Sequence, residues 1–385
     1  MSLCYKIVDS DQAVRQLKQP WDDLLSQTSS PSVFSTWEWA YTWWLCFKKD
    51  RKLHIICVWD GDNRLVGIAP LFQEFQKVLP GIKSAALNFL GSKIGGADYL
   101  DFIISPALRE PVIQMIFQAL KEESEWDRLV LTDVLEDSPN ILALKELAQQ
   151  AGYRTIDRPL HRCPYIVINE SWEEYHNSLE KHTRYNLRRY RNALSRKFAS
   201  VSLEALNDFA DIDFYLEKLL KLKEKSWSIT GKKGLNLPPE WVKFHGQLAR
   251  AFSQRGWPRL FYLKVNNEIV SLWYGFSYGS KYWYLNAAYD VDFPRVFGLG
   301  KLLLSETIKA AFKEGSREYD FLRGPEPYKY EWANAERTTR SITLLKRTPA
   351  AAIWAWRNAI EDDCRRWLKR FLPAPLFEKL KTLRR

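Results

Sequence analysis

Short runs of alternating apolar and polar residues recur along this chain, between longer stretches whose apolar positions fall three and four apart. Alternation marks a strand and three-to-four spacing marks one face of a helix, so the chain reads as mixed α and β. The opening third predicts a strand over 3–8, helices over 11–27 and 36–47, and a hairpin over 53–72 turning at Asp60-Gly61-Asp62-Asn63. A glycine-punctuated stretch follows, then a strand over 99–104, a helix over 111–123, a strand over 127–132, a helix over 139–150 and a strand over 165–168. From residue 171 the order repeats: helical residues 171–197, a strand over 200–204 and a helix over 208–227. A loop with Gly231, Gly234, Pro238 and Pro239 then leads to a helix over 240–254, a hairpin over 259–279 and a strand over 281–290. The two hairpins match in pattern at an offset of roughly 205 residues, which reads as an internal duplication. The units are placed at 1–169 and 170–348, with a separate tail at 349–385.

After the strand at 281–290 come Arg295, Val296, Phe297, Gly298, Leu299, Gly300 and Lys301, and then an amphipathic helix and a strand over 318–323. A glycine turn opening a helix leaves backbone N–H groups free at the positive end of the helix dipole, where an anion such as a pyrophosphate is favoured. The bland alternative is a turn whose glycines serve packing. The matching place in the first unit, SPALREP, has no glycine, so anion binding is assigned to the second unit.

Composition narrows the class. With 46% hydrophobic and 27% charged residues in a chain of 385, two sizeable cores fit and the chain reads as soluble and globular. Nothing approaches the roughly 18 apolar residues of a membrane span, and the first 14 residues lack a signal-peptide layout. Cys4, Cys46, Cys57, Cys163 and Cys364 are scattered and the histidines dispersed, which predicts a reducing, cytoplasmic setting and no metal. A net charge of +11 predicts anionic partners.

Some of that charge is patterned. In the helical run 181–197, Lys181, Arg184, Arg188 and Arg191 share one face, while Leu187, Tyr190 and Leu194 share another. This is either a solvated face or a grip for acceptor phosphates, with Arg184 and Arg188 as candidates. Asp98 and Asp101 are candidates to orient an amine or sugar hydroxyls, or ordinary polar residues at a strand end. In the tail, Ile353, Trp356, Ile360, Cys364, Trp367 and Phe371 recur on a helical face, and nine basic residues oppose four acidic ones for a net charge of +5. A basic amphipathic helix suits an anionic membrane surface, or packs back on its own domain.

The order of elements and the glycine turn, together with the stretches FSTWEWAYTWW (34–44), RLVGIAPLF (64–72), DYLDFI (98–103), RYNLRRYRNAL (184–194) and FLRGPEPYKYEWA (321–333), resemble the GNAT superfamily of N-acetyltransferases. The tandem arrangement is similar to the CelD-like branch of bacterial acyltransferases linked to cellulose and exopolysaccharide synthesis, itself related to Fem-type peptidoglycan aminoacyltransferases. The resemblance implies an α/β (α+β) fold of two tandem GNAT-like domains, each a mixed, mostly antiparallel sheet flanked by helices, plus the basic amphipathic helical tail. It implies acyl-CoA (acetyl-CoA) as co-substrate, held by Arg295, Val296, Phe297, Gly298, Leu299, Gly300 and Lys301. An oxyanion donor is implied among the backbone N–H groups of Asn286, Ala287 and Ala288. Tyr328 and Tyr330 become candidates to protonate the leaving thiolate and Glu326 a candidate base; the alternative is that they pack a loop. Lys329 is a candidate for an anionic acceptor.

The leading expectation is CoA-dependent acyl transfer to an amine or hydroxyl of a cell-envelope or exopolysaccharide-related precursor, in the cytoplasm or peripherally on the inner membrane face. Nucleic acid is not expected as a partner under that reading. A second expectation is Fem-like aminoacyl transfer from tRNA, and a third is a non-catalytic assembly factor for a membrane polysaccharide synthase.

Overall fold

The computed structural model describes residues 2–28, 31–230 and 239–371. The first half runs β1 (Cys4–Val8), α1 (Asp11–Gln16), α2 (Lys18–Ser26), α3 (Trp37–Phe47), β2 (Arg51–Trp59), β3 (Leu65–Leu79), β4 (Ile82–Phe89), β5 (Ile103–Ile104), α4 (Arg109–Glu122), β6 (Arg128–Leu135), α5 (Pro139–Gln150) and β7 (Arg154–Val167). The second runs α6 (Trp172–Ser178), α7 (Lys181–Lys197), β8 (Val201–Ala205), α8 (Ile212–Thr230), α9 (Pro239–Ser253), β9 (Pro258–Val265), β10 (Glu268–Tyr278), β11 (Lys281–Tyr289), α10 (Leu299–Lys313), β12 (Glu318–Asp320), α11 (Pro327–Tyr330), β13 (Ala335–Leu345) and α12 (Pro349–Phe371). The loop with Gly231, Gly234 and Pro238 lies outside the described residues.

The strands form one mixed, mostly antiparallel sheet in the order β1-β2-β3-β4-β6-β13-β7-β12-β11-β10-β9-β8, with β5 beside β3. The duplication is legible in it. Four antiparallel strands, β1 to β4, end on a parallel pair with β6, and four more, β8 to β11, end on a parallel pair with β12. The strand expected to complete the first unit pairs instead with β13 and β12 of the second half, while β13 returns to pair with β6. The halves therefore exchange their last strands.

The expected strand over 99–104 shrinks to two residues, because Tyr99 takes a left-handed φ of 54°, which breaks an extended chain. The helix expected over 11–27 divides at Leu17 into two.

The larger core runs across both halves. α3 supplies its joint: Thr36 caps the helix through the Trp39 N–H, and Trp39 packs edge-on against Phe244 of α9 and Phe276 of β10. A second core lies under α6, α7 and α10 on the opposite sheet face. On β9 the two faces separate cleanly, with Leu260 and Tyr262 in the first core and Phe261, Leu263 and Val265 in the second. The first turns of α12 bury Ala351 and Ala355 against Leu345, and Arg357 donates to the Val78 carbonyl at 2.6 Å, while Trp356 and Ile360 face solvent. The side chains of Cys364, Trp367 and Phe371 lie outside the described residues. Among those residues no helix is long and apolar enough to cross a membrane.

Candidate active site

β11 and β12 pair only from Lys281 with Glu318 to Trp283 with Asp320, and then part. The same point carries a β-bulge, since Tyr274 faces Asn286 while Gly275 faces Tyr284, leaving Leu285 unmatched. A cavity of about 560 Å³ opens where the strands separate. Its walls are Tyr284, Leu285, Asn286 and Ala287 of β11, Phe321, Leu322 and Arg323 after β12, Glu326, Tyr328 and Lys329 around α11, Lys223 of α8, Trp241 of α9, and the first-half loop from Lys93 to Asp98. Past Trp283 no described strand pairs with the β12-facing edge of β11, so N–H groups there are open to a developing oxyanion.

Backbone strain concentrates around this space. Lys93, Tyr99, Asp133 and Leu322, none of them glycine, all have positive φ. Such residues persist where their surroundings hold them, and they cluster at functional sites. Arg323 joins two of these regions. Its guanidinium, from the second half, lies 2.8 Å from Asp98 and 3.2 Å from Asp133 of the first, and also donates to the Ala97 carbonyl. Burial raises the pKa of Asp98, with Asp133 adding to the rise and Arg323 opposing it.

Tyr328 donates to the Tyr284 hydroxyl at 3.3 Å, and burial pushes its own pKa up to about 12, so it holds its proton at neutral pH. Lys329 is buried and its ammonium is committed to the carbonyls of Arg323 (2.7 Å) and Leu322 (3.4 Å) and to Glu326 (2.9 Å). Burial also pushes Lys223 down, to about 8, with the charge of Glu326 opposing.

The glycine turn follows β11, outside the cavity lining. Gly298 has a φ of 52°, and a Cβ there would meet the Tyr190 ring of α7 at 2.2 Å, so both conformation and packing demand glycine. Gly300 lies under Tyr289. The first backbone bond into α10 is from the Leu302 N–H to Gly298, so the N–H groups of Leu299, Gly300 and Lys301 precede the helical ladder. No side chain caps the helix and no acid sits in its first turn. This arrangement fits a phosphate group. Lys301 turns to Glu331 at 2.5 Å.

The structure thus gathers Asp98, Asn286, Ala287, Glu326, Tyr328 and Lys329 in one cavity. Arg295, Val296, Phe297, Gly298, Leu299, Gly300 and Lys301 stand together at the neighbouring helix start. Others lie apart. Ala288 is buried, and its carbonyl accepts from Ser271. Tyr330 is exposed and bonds to Glu336. Asp101 accepts from Ser138 at 2.6 Å and caps the Phe102 N–H at 2.7 Å. On α7 Arg188 is exposed and Arg184 half-buried, and burial lowers the pKa of His176, with Arg184, Arg188, Arg191 and Lys309 adding to the fall.

Sequence reasoning missed Lys93, Lys223, Trp241, Leu285 and Arg323. Lys223 stands in a lysine-rich helix that reads as a solvated face, and nothing in its neighbours marks it out.

Residues 181–330 match the family model described as an acetyltransferase (GNAT) domain. No curated protein matches the chain. Among solved structures, FemX superimposes with a TM-score of 0.60 at 14% identity, covering 91% of this chain and 98% of that one. A conserved protein of unknown function from Bacteroides thetaiotaomicron superimposes with a TM-score of 0.55 at 12% identity, covering 89% of this chain and 100% of that one.

Proposed function

We propose that this chain, whose fold is shared with FemX and which carries a match to the GNAT acetyltransferase domain over residues 181–330, is a GNAT-type acyltransferase that takes its acyl group from acyl-CoA and passes it to an amine or hydroxyl of a cell-envelope or exopolysaccharide-related precursor. The observation that carries the reading is the cavity at the parting of β11 and β12, beside an uncapped helix start. Lys93, Arg323 and Lys329 in its wall are paired with Glu74, with Asp98 and Asp133, and with Glu326, so the cavity is polar and close to charge-balanced. The envelope or exopolysaccharide class rests on the CelD-like resemblance.

The co-substrate supplies an acyl group activated as a thioester. Leu299, Gly300 and Lys301 present N–H groups to its phosphates, with Arg295 adding charge. The open edge of β11 at Leu285, Asn286 and Ala287 meets the oxyanion, and Tyr328, protonated at neutral pH, gives its proton to the departing sulfur. Lys329 fixes the carbonyls of Leu322 and Arg323, holding the wall in its strained turn.

Calorimetry with acetyl-CoA and CoA tests the reading, with micromolar-range binding expected; absence of binding to either sinks it and favours the non-catalytic assembly factor. The gathering of Arg184, Arg188, Arg191 and Lys309 supports the second reading, aminoacyl transfer from tRNA. Tight tRNA binding that weakens steeply with salt is its signature. The tail remains our candidate for an anionic membrane surface. Co-sedimentation with anionic vesicles, comparing the full chain with one ending at Thr348, returns it to simple packing if both forms sediment alike.

A further inference from the structure

We propose that the outer ends of β3 and β4 form a docking arm for an anionic lipid bilayer. The proposal stands independently of the acyl-transfer reading and of any affinity carried by the tail.

β3 is 15 residues long and outruns its neighbours. Its pairing with β2 ends at Glu74, opposite Arg51, and β4 meets β6 only from Ala86 onward. Residues 75–85 therefore form a two-stranded arm with no further described strand on either edge. A bare ribbon of two strands is marginal in water, but one face of this arm is braced. Arg128 of β6 spans both strands, bonding to Ser84 and, at 2.8 Å, to Gln76. Trp354 of α12 lies over that guanidinium at 5.0 Å, and Arg357 of α12 holds the Val78 carbonyl.

The tip and the opposite face are ill suited to water. Phe75, Leu79 and Ile82 are exposed, and a Cβ placed on Gly81 in the turn would meet nothing within 4 Å. Trp356 and Ile360, which flank Arg357 on α12, are exposed as well. On the face of Phe75, Lys77 stands directly opposite Lys83, a like-charged cross-strand pair that costs stability. No acid occurs from residue 75 to residue 85, and neither lysine pairs with a carboxylate among the described residues. Lys52 of β2 adds a third charge, over the Phe75 ring at 5.7 Å.

An apolar tip among uncompensated lysines fits an acidic leaflet, where the lysines meet headgroup phosphates and the tip enters the acyl boundary. A nucleic acid would satisfy the lysines and leave Leu79 and Ile82 in water. A second copy of the arm would set lysine against lysine.

The test sediments the full chain with vesicles of phosphatidylglycerol and phosphatidylcholine, and with phosphatidylcholine alone; binding is expected to the acidic vesicles only. Lys77→Gln with Lys83→Gln should weaken it about 30-fold, and Leu79→Glu with Ile82→Glu about tenfold or more. Hydrogen exchange of the wild-type chain reads the arm without any variant, and slowed exchange across residues 75–85 is expected on acidic vesicles. Wild-type binding by both double variants overturns the proposal, as does unchanged exchange at 75–85 in vesicle-bound protein. Vesicle-free dimers that Leu79→Glu with Ile82→Glu dissolves overturn it too, assigning the tip to a second copy. Binding lost on truncation at Thr348 yet kept by both arm variants leaves the membrane to the tail and overturns the arm. Acetyl-CoA binding in calorimetry should be the same in every arm variant as in wild type, so this proposal and the acyl-transfer reading fail separately.

Discussion

β4 and β6 run parallel for three residue pairs before separating, and β11 and β12 do the same. In the first half the chain itself enters the gap. The segment after β4 buries Leu90, Ala97, Tyr99, Leu100 and Phe102, and the Leu100 N–H bonds to the Asp133 carbonyl on β6. In the second half the gap is a cavity, and one of its walls is that same first-half segment. The helices that follow differ to match. α4 begins with Glu110 in its first turn, a carboxylate that occupies the positive end of the helix dipole, whereas α10 begins with none. One copy of the fold has closed its own opening and lends the filling to its sibling's site. Under the proposed acyl-transfer reading, duplication divides labour between a supporting half and a working half.

The strongest way to break this contrast is at the helix start. Arg295→Ala combined with Gly300→Val should abolish measurable CoA binding in calorimetry, because hydrogen bonds to a charged phosphate are worth about 1.5–3 kcal/mol each. Retained affinity in that double variant would move the binding function out of the second half.

Next comes the joint. Trp39 touches Phe34, Phe244, His245, Phe252 and Phe276 in aromatic contacts that cross the halves. Trp39→Ala should cost about 3–5 kcal/mol in urea denaturation. A two-step transition, in place of a weakened single one, would show that the halves are separable.

Tyr328→Phe keeps the ring and removes the proton, so turnover should fall about 10²-fold with CoA affinity retained. Tyr330→Phe should leave turnover close to wild type, since its hydroxyl is bonded to Glu336 outside the cavity. Equal losses in both would point to packing. The smallest effect belongs to the supporting half: Glu110→Gln should cost roughly 0.3–1 kcal/mol of stability and leave CoA binding untouched.

Much of the fold was legible because its signals are local. The turn Asp60-Gly61-Asp62-Asn63 announces the β2–β3 hairpin, and its bonds are made as that turn implies, with the Asp62 and Arg64 N–H groups donating to Asp60. β4 was lost because its later residues, from Ser84 to Phe89, are buried on both faces, so IKSAALNF carries no alternation. The greater part of β7 was lost because RTIDRPLHR is polar and holds a proline. Its place in the sheet depends on β13 and β12, more than 150 residues away. The site divides along the same line. Tyr328, Glu326 and Lys329 lie in one legible stretch, but Lys223, Lys93 and Arg323 join them only through long-range packing, and the Tyr190 ring over Gly298 couples two elements that sequence periodicity treats separately.

The exchange of β7 and β13 sets the order in which this protein can be completed during synthesis. β6 gains its β13 neighbour across an intervening chain of roughly 200 residues, a closure whose entropic cost grows only slowly with length. Until residue 345 has emerged, however, the centre of the sheet presents two bare strand edges, on β6 and β7. A nascent chain paused before β13 is thus a template for mispairing with its neighbours, and the last strand laid down is the one that seals it.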